Sequence, residues 1–284
     1  MSLNTETGSR PGFMPALNQA IQLHTPDVVA LQEVHNALCD NVPEMFMPRD
    51  PGKRQYPMRL KLYQEIVAAF AQDYQIVYEF HMHGLHDLEL TEFAVTYGQA
   101  LLVHKRCALQ FTRSDFIYGR RNQLNTEKSG GTPAGKVAVG AKIGLSNGAS
   151  IVVTNVHGFW SMHGKIDCSS RIVQNSGIGH HLKRLTYQKE TSYILCAGDL
   201  NYRSDMRALE DLRLQSVFGE GGGVILNHQF GITRTRTAHY SNWENQPEAD
   251  FMIATPALAQ KATDFSVDLK FPSDHGLLIG KFRL

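Results

Sequence analysis

Cysteine is scarce in this chain. Only four occur among 284 residues, and Cys39, Cys107, Cys168 and Cys196 show no metal-type spacing, so reduced thiols are expected. Long apolar runs are missing too: nothing approaches the ~20 consecutive residues that a membrane span needs. The first ten residues lack the basic start and apolar middle of a signal peptide, which makes a cytoplasmic location the expectation. Neither sign of charge dominates, with 28 Lys and Arg against 27 Asp and Glu and a formal charge of +1. A global basic field is therefore excluded, and nucleic-acid binding would need a local patch. What is present is a chain 42% hydrophobic and 19% charged, enough to bury a sizeable core. No internal repeat or linker interrupts it, so a single domain over residues 1–284 is expected, with no obligate protein partner evident.

The chain is organised around Tyr193-Ile194-Leu195-Cys196-Ala197-Gly198-Asp199-Leu200-Asn201. This is an apolar run short enough for a buried strand, ending in a glycine. Residues two apart on an extended chain share a side, so Asp199 and Asn201 project together from the strand end. Both offer oxygen, which suits a hard cation or a phosphate beside one; the alternative is an Asx turn that closes the strand. Val28–Val34 reads as a second buried strand with Glu33 near its end, a carboxylate that needs either a cation or a basic partner. Thr154-Asn155-Val156-His157 ends another strand in a histidine, either a satisfied structural residue or a catalytic one. Asp250 opens an apolar strand, and Ser273-Asp274-His275 precedes the final one, Leu277–Phe282. Asp beside His brings a metal-binding carboxylate and a general acid or base to one rim, unless Asp274 merely caps a turn.

Between these stations, helices are expected where Met14, Leu17 and Ile21 recur, over Arg59–Gln72, over Arg171–Leu185 and around Met206–Leu212. Residues 36–57 read as an irregular excursion, residues 122–135 as a flexible loop, and His81, His83 and His86 as members of a solvated loop. Ser146-Asn147-Gly148 between two alternating runs predicts a β-hairpin, which a purely parallel sheet would not contain. The expected fold class is therefore α/β (α+β): two mixed, largely antiparallel sheets packed face to face, with helices on the outer faces.

Five stations fall in one order: Leu-Gln-Glu-Val, Thr-Asn-Val-His, Gly-Asp-Leu-Asn, Ala-Asp-Phe-Met-Ile and Ser-Asp-His. The set resembles the endonuclease/exonuclease/phosphatase superfamily, which includes pancreatic-type deoxyribonucleases, abasic-site endonucleases, inositol polyphosphate 5-phosphatases and bacterial sphingomyelinases. The likeness runs from about Asn4 to Leu284. It implies Glu33 as the principal metal-binding carboxylate, with Asp274 as a further metal-site acid. Asp199 and Asn201 resemble the pair that orients the attacked phosphate and the water, and His275 the catalytic histidine held by Asp250. His157 is similar to the second histidine of the deoxyribonuclease and sphingomyelinase branches, where abasic-site enzymes carry a Tyr. The family's opening strand ends in Trp-Asn; here Ser2-Leu3-Asn4 stands in its place without the Trp, and Asn4 is carried over as a support of the metal carboxylate.

The resemblance implies a Mg²⁺- or Mn²⁺-dependent phosphoesterase attacking a phosphodiester with water, nuclease-like in substrate. A phosphomonoesterase of a small molecule or lipid headgroup is the alternative, and a non-catalytic binding module on the same fold a third. The partner expected is a phosphate ester, either nucleic acid or a small phosphodiester. Candidate phosphate contacts are Arg120, Arg121, Arg171, Arg234 and Arg236, with Trp160 or Tyr240 available to stack on a base.

Overall fold

The computed structural model describes residues 1–47, 57–83, 94–122, 135–161, 164–187, 193–234 and 247–284. In chain order its first strands and helices are β1 (Ser2–Asn4), α1 (Phe13–His24), β2 (Val28–Ala37), β3 (Met45–Phe46), β4 (Met58–Arg59) and α2 (Leu62–Phe70). The middle of the chain supplies β5 (Tyr74–His83), β6 (Val95–His104), β7 (Ala108–Tyr118), β8 (Lys136–Gly144), β9 (Ser150–His157) and α3 (Ser169–Thr186). The remainder adds β10 (Tyr193–Asp199), α4 (Arg207–Arg213), β11 (Val224–Ile225), β12 (Asp250–Ala254), α5 (Pro256–Ala259), β13 (Ala262–Asp268) and β14 (Leu277–Phe282).

The strands form two six-stranded sheets, ordered β13-β14-β1-β2-β6-β5 and β11-β12-β10-β9-β8-β7. Each sheet has one parallel pair, β1 with β2 and β9 with β10, and is otherwise antiparallel. The expected mixed sandwich is therefore what the chain forms. The predicted hairpin joins β8 to β9, with Gly144 opposite Ser150 and Asn147 Oδ1 accepting from the Ala149 N–H.

Apolar periodicity explains the layers. Phe13, Leu17 and Ile21 of α1 and Leu62, Ile66 and Phe70 of α2 are buried against Leu3, Leu31 and Leu102 on the outer face of the first sheet. Ile178, Leu182 and Leu185 of α3 and Leu209 and Leu212 of α4 cover the second sheet through Val152, Val156 and Cys196. Ala30, Leu101 and Leu278 meet Val137, Val139, Val153 and Ala197 in the middle layer. Alternate residues of the central strands thus feed different cores, as period-two geometry requires.

Two expectations need correction. Residues 36–57 are not wholly irregular: β2 runs on to Ala37, and β3 pairs with β4 through Met45–Arg59 and Phe46–Met58, while residues 48–56 lie outside the described set. His81 is no solvated loop residue but a buried member of β5, which ends at the exposed His83; His86 lies outside the described residues. The loop expected at 122–135 also falls almost wholly outside them. No helix among the described residues is long and apolar enough to cross a membrane.

Candidate active site

The predicted stations arrive at one rim of the sandwich because each stands at or beside a strand end there, except Glu33, which a bulge inside β2 turns to the rim. Glu33 lies in a bulge where the β2–β6 register shifts between Gln32 and Val34, and its backbone is left-handed, with φ 58°. A bulge re-aims a side chain out of the ladder, and here it turns the carboxylate toward Asn4 at the end of β1. Asn4 Nδ2 donates to Glu33 Oε1 at 3.2 Å and to Asp199 Oδ2 at 2.9 Å, tying a carboxylate of each sheet to one amide. Asp199 ends β10 directly beside His157, the last residue of β9. Gly198 has φ 141°, and a Cβ there would lie 2.0 Å from the Val156 carbonyl oxygen, so only glycine lets the two strands close in. Asp199 Oδ1 accepts the Asn201 N–H at 2.9 Å, and Asn201 Nδ2 donates to the Gly158 carbonyl at 3.3 Å.

His157 Nε2 lies 3.8 Å from Glu33 Oε1 and 3.9 Å from Asp199 Oδ2. His275 Nε2 also lies 3.9 Å from Asp199 Oδ2 and 3.7 Å from Asp274 Oδ1, while its Nδ1 meets Asp250 Oδ2 at 2.8 Å. Only the last is a hydrogen bond; the longer separations leave room for an oxygen atom between the groups. Ser273 Oγ donates to the Asn4 carbonyl at 2.7 Å and accepts from the His275 N–H, fixing this turn to β1.

Burial would push the His275 imidazolium down, but Asp250, Asp274 and Asp199 outweigh it and lift the ring to about 9. We assign the proton of the His275–Asp250 pair to the ring. Burial raises the Asp274 carboxyl, yet His275, Arg234 and Arg10 overcome it and hold it below its usual range. Glu6, whose Oε2 accepts the Asp274 N–H at 3.1 Å, is pushed up to about 7 by burial and by the Asp274 charge.

One ligand atom each from Asp199, Asp250 and His275 lie within 4.8 Å of one another. A protonated ring hydrogen-bonded to its carboxylate is a poor metal ligand, however. The Glu33 and Asp199 carboxylates suit a hard cation better: both offer oxygens, Asn4 braces them through Nδ2 while its Oδ1 accepts the Glu6 N–H, and the Glu33 side chain is 18% exposed at the mouth, where water can reach.

Other expected residues fall differently. Arg234 is buried at the rim, bridged to His275 through the backbone and bonded to Asp274 Oδ2 at 3.3 Å. Arg120 is exposed at the end of the β7 segment, and Arg121 pairs with Glu79 at 2.7 Å. Arg171 requires correction as a substrate contact. It is fully buried, with Nε on the Ile166 carbonyl, Nη1 on the Phe159 carbonyl and its guanidinium 5.1 Å over the Tyr202 ring. Its stem and charge hold a loop from beneath. Arg236 and Tyr240 lie outside the described residues, and Trp160 is 41% exposed.

Of three buried lysines that escape the sequence reading, Lys136, Lys142 and Lys165, two feel the charges of the rim. Lys136, at the start of β8, is lowered to about 8 by burial, against the pull of Glu33 and Asp199. Lys165 is lowered to about 7 by burial and by Arg234, against Asp199 and Asp250. Nothing local marks a lysine in a polar stretch as buried. An aromatic wall backs His157: its ring lies 6.3 Å from that of His81 and 6.4 Å from that of Tyr97, which also contacts His35.

Two stacked mixed sheets in this strand order define an architecture, and solved structures share it. The chain has the fold of the endonuclease/exonuclease/phosphatase proteins. A family protein of that description from Leptotrichia buccalis superposes with a TM-score of 0.69 at 16% identity, over 100% of this chain and 98% of its own. The mannosyl-6-phosphatase of Bacteroides thetaiotaomicron matches at TM-score 0.59 and 12% identity, covering 96% and 91%. D. rerio TDP2 in complex with a single-strand DNA product matches at 0.60 and 14%, covering 100% and 97%. No sequence-family model and no curated protein matches the chain.

Proposed function

We propose that the chain is a divalent-metal-dependent phosphoesterase that hydrolyses its substrate by in-line attack of water, with a phosphodiester, nuclease-like substrate as the first reading. The observation that carries this is the unbroken run Glu33–His157–Asp199–His275–Asp250, with contacts of 3.8, 3.9, 3.9 and 2.8 Å. Glu33, supported by Asn4 and with Asp274 as a further acid, would hold Mg²⁺ or Mn²⁺, which when bound neutralises phosphoryl oxygens and the leaving oxygen.

The residues themselves divide the remaining work. His157 and His275 each bring Nε2 to 3.9 Å from Asp199 Oδ2, and both rings would donate to a phosphoryl oxygen bound beside it. Asp250 orients the His275 ring and keeps it charged, so a positive charge already faces the place where negative charge builds. Asp199 takes the proton of the attacking water, and the Asn201 amide orients the phosphoryl group beside it. A phosphomonoester is the second reading, favoured by the buried cations Lys165 and Arg234 next to Asp199.

The test is turnover of plasmid DNA, RNA, bis-(p-nitrophenyl) phosphate and p-nitrophenyl phosphate with Mg²⁺, Mn²⁺ or chelator. Hydrolysis that depends on the metal is expected. His275→Ala and Asp199→Ala each should lower turnover by at least ~10²-fold. Near-normal rates in either variant would refute the assignment.

A further inference from the structure

Lys165 is followed directly by two anchored residues. Beyond it, Asp167 accepts the Ala208 N–H at 2.8 Å and the Arg207 N–H at 3.2 Å, capping α4 from another segment. Next to it, the Ile166 carbonyl is gripped by Arg171 at 2.9 Å. Just before these anchors the Lys165 side chain turns inward and is only 4% exposed, with Nζ donating to the Glu248 carbonyl. Glu248 stands two residues before Asp250, so the ammonium is delivered to the Asp250 side of the rim.

The surroundings are electrostatically unusual. Arg234, itself 4% exposed, is the charge that most opposes the Lys165 ammonium, while Asp199 and Asp250 support it. A buried ammonium is costly unless an anion joins it. A lysine ammonium carries three donors, and one of them is committed to Glu248. Asp250 is engaged with His275 and Asp274 with Arg234, and no carboxylate among the described residues forms an ion pair with Lys165.

We propose that Lys165 and Arg234 form an anion cradle for the non-bridging oxygens of a phosphoryl group, and that Lys165 is a substrate-binding residue of this rim. The assignment rests on the phosphoesterase reading for the identity of the anion. The depressed ammonium fits it, since a bound phosphate would restore the charge that burial disfavours.

The competing role for Lys165 is to tie down the Glu248 carbonyl and nothing more. Two variants separate the roles: Lys165→Gln keeps a donor for that carbonyl and removes the charge, whereas Lys165→Met removes both. Binding of inorganic phosphate, followed by calorimetry on the whole protein, needs no turnover. Both variants should bind phosphate on the order of tenfold more weakly than wild type, the loss expected for one charged hydrogen bond. For the ester that wild type hydrolyses, KM should rise more than kcat falls. Phosphate affinity unchanged in Lys165→Gln, with only the melting temperature of Lys165→Met reduced, would overturn the cradle. A wild-type protein that binds phosphate and hydrolyses nothing leaves the cradle standing and sinks the hydrolase reading. One that turns over esters while Lys165→Gln keeps its affinity and KM does the reverse.

Discussion

Six non-glycine residues among those described have positive φ, and four of them, Glu6, Thr7, Glu33 and Asn201, belong to the rim or the turn behind it. A left-handed backbone costs an ordinary residue about 1–2 kcal/mol, and such costs gather where side chains must be aimed. At Asn201, with φ 56°, backbone and amide requirements can be separated. Asn201→Gly keeps the backbone free to adopt this conformation, so its melting temperature should stay near that of wild type. Turnover should nevertheless fall on the order of 10²-fold if the amide orients the phosphoryl group. Asn201→Ala should show the same loss of turnover and be less stable by about 1 kcal/mol. A glycine variant with normal kcat would dismiss the amide. The carboxylates and histidines were legible in the sequence because each stands at the end of an apolar run. Lys165 was not: a lysine after Gly164 reads as solvated, and only the grip of Arg171 and Asp167 on its neighbours turns it inward.

At the scale of elements, α3 shows what periodicity conveys and what it omits. Ile178, Leu182 and Leu185 mark its buried stripe, yet the docking is also polar. His181, fully buried, meets Asp115 of β7 through Nδ1 at 2.9 Å and Thr154 of β9 through Nε2 at 2.9 Å. Arg113 and Arg184 add to Asp115 at 2.6 and 2.8 Å. β7 and β13 were missed in the sequence for a related reason. Both are edge strands, and β7 is rich in charged and hydroxyl residues, which blunts an exposed edge and dilutes the apolar alternation that announces a strand. The polar docking makes a pH prediction. Burial lowers the His181 ring below its usual value despite Asp115, so the unfolded chain binds the proton more readily. Stability therefore falls as pH drops through about 6.5, the ordinary histidine value. Burial would raise the Asp115 carboxyl, but His181 and Arg113 hold it well below the carboxylate range, which removes further stability below about pH 4. His181→Gln should be less stable than wild type at pH 7.5 and should lose less between pH 7.5 and 5.5. Urea midpoints at the two pH values decide this; equal losses would remove the ring from the account.

For the whole molecule, the decisive fact is that the rim is shared between the sheets. Asn4, Glu33, Asp274 and His275 come from the first sheet or the turn that enters it, and His157, Asp199, Asn201 and Asp250 from the second or its edge. The order of motifs made this class of fold legible, since strand-end motifs are local, but how one sheet is registered on the other is not a local property. That registration is carried by a buried amide network. Asn155 of β9 donates from Nδ2 to the Leu31 carbonyl at 3.0 Å and the Ala100 carbonyl at 2.9 Å, and its Oδ1 accepts from Gln32 Nε2 at 2.6 Å. Gln99 of β6 reaches the Val137 carbonyl of β8 in the same layer. Asn155 sits two residues before His157, and Gln32 one before Glu33, so the tie lies directly beneath the two groups it must align. Asn155→Ala should strand these buried partners and cost about 3 kcal/mol of stability, read from urea unfolding. Well below the transition, where the variant remains folded, turnover should still fall, because displacements near 1 Å between reacting groups cost on the order of 10²-fold. A variant of unchanged stability would show that apolar packing alone sets the register. One that is destabilised yet turns over normally would show that Asn4, which joins Glu33 to Asp199, aligns the two halves without help from below.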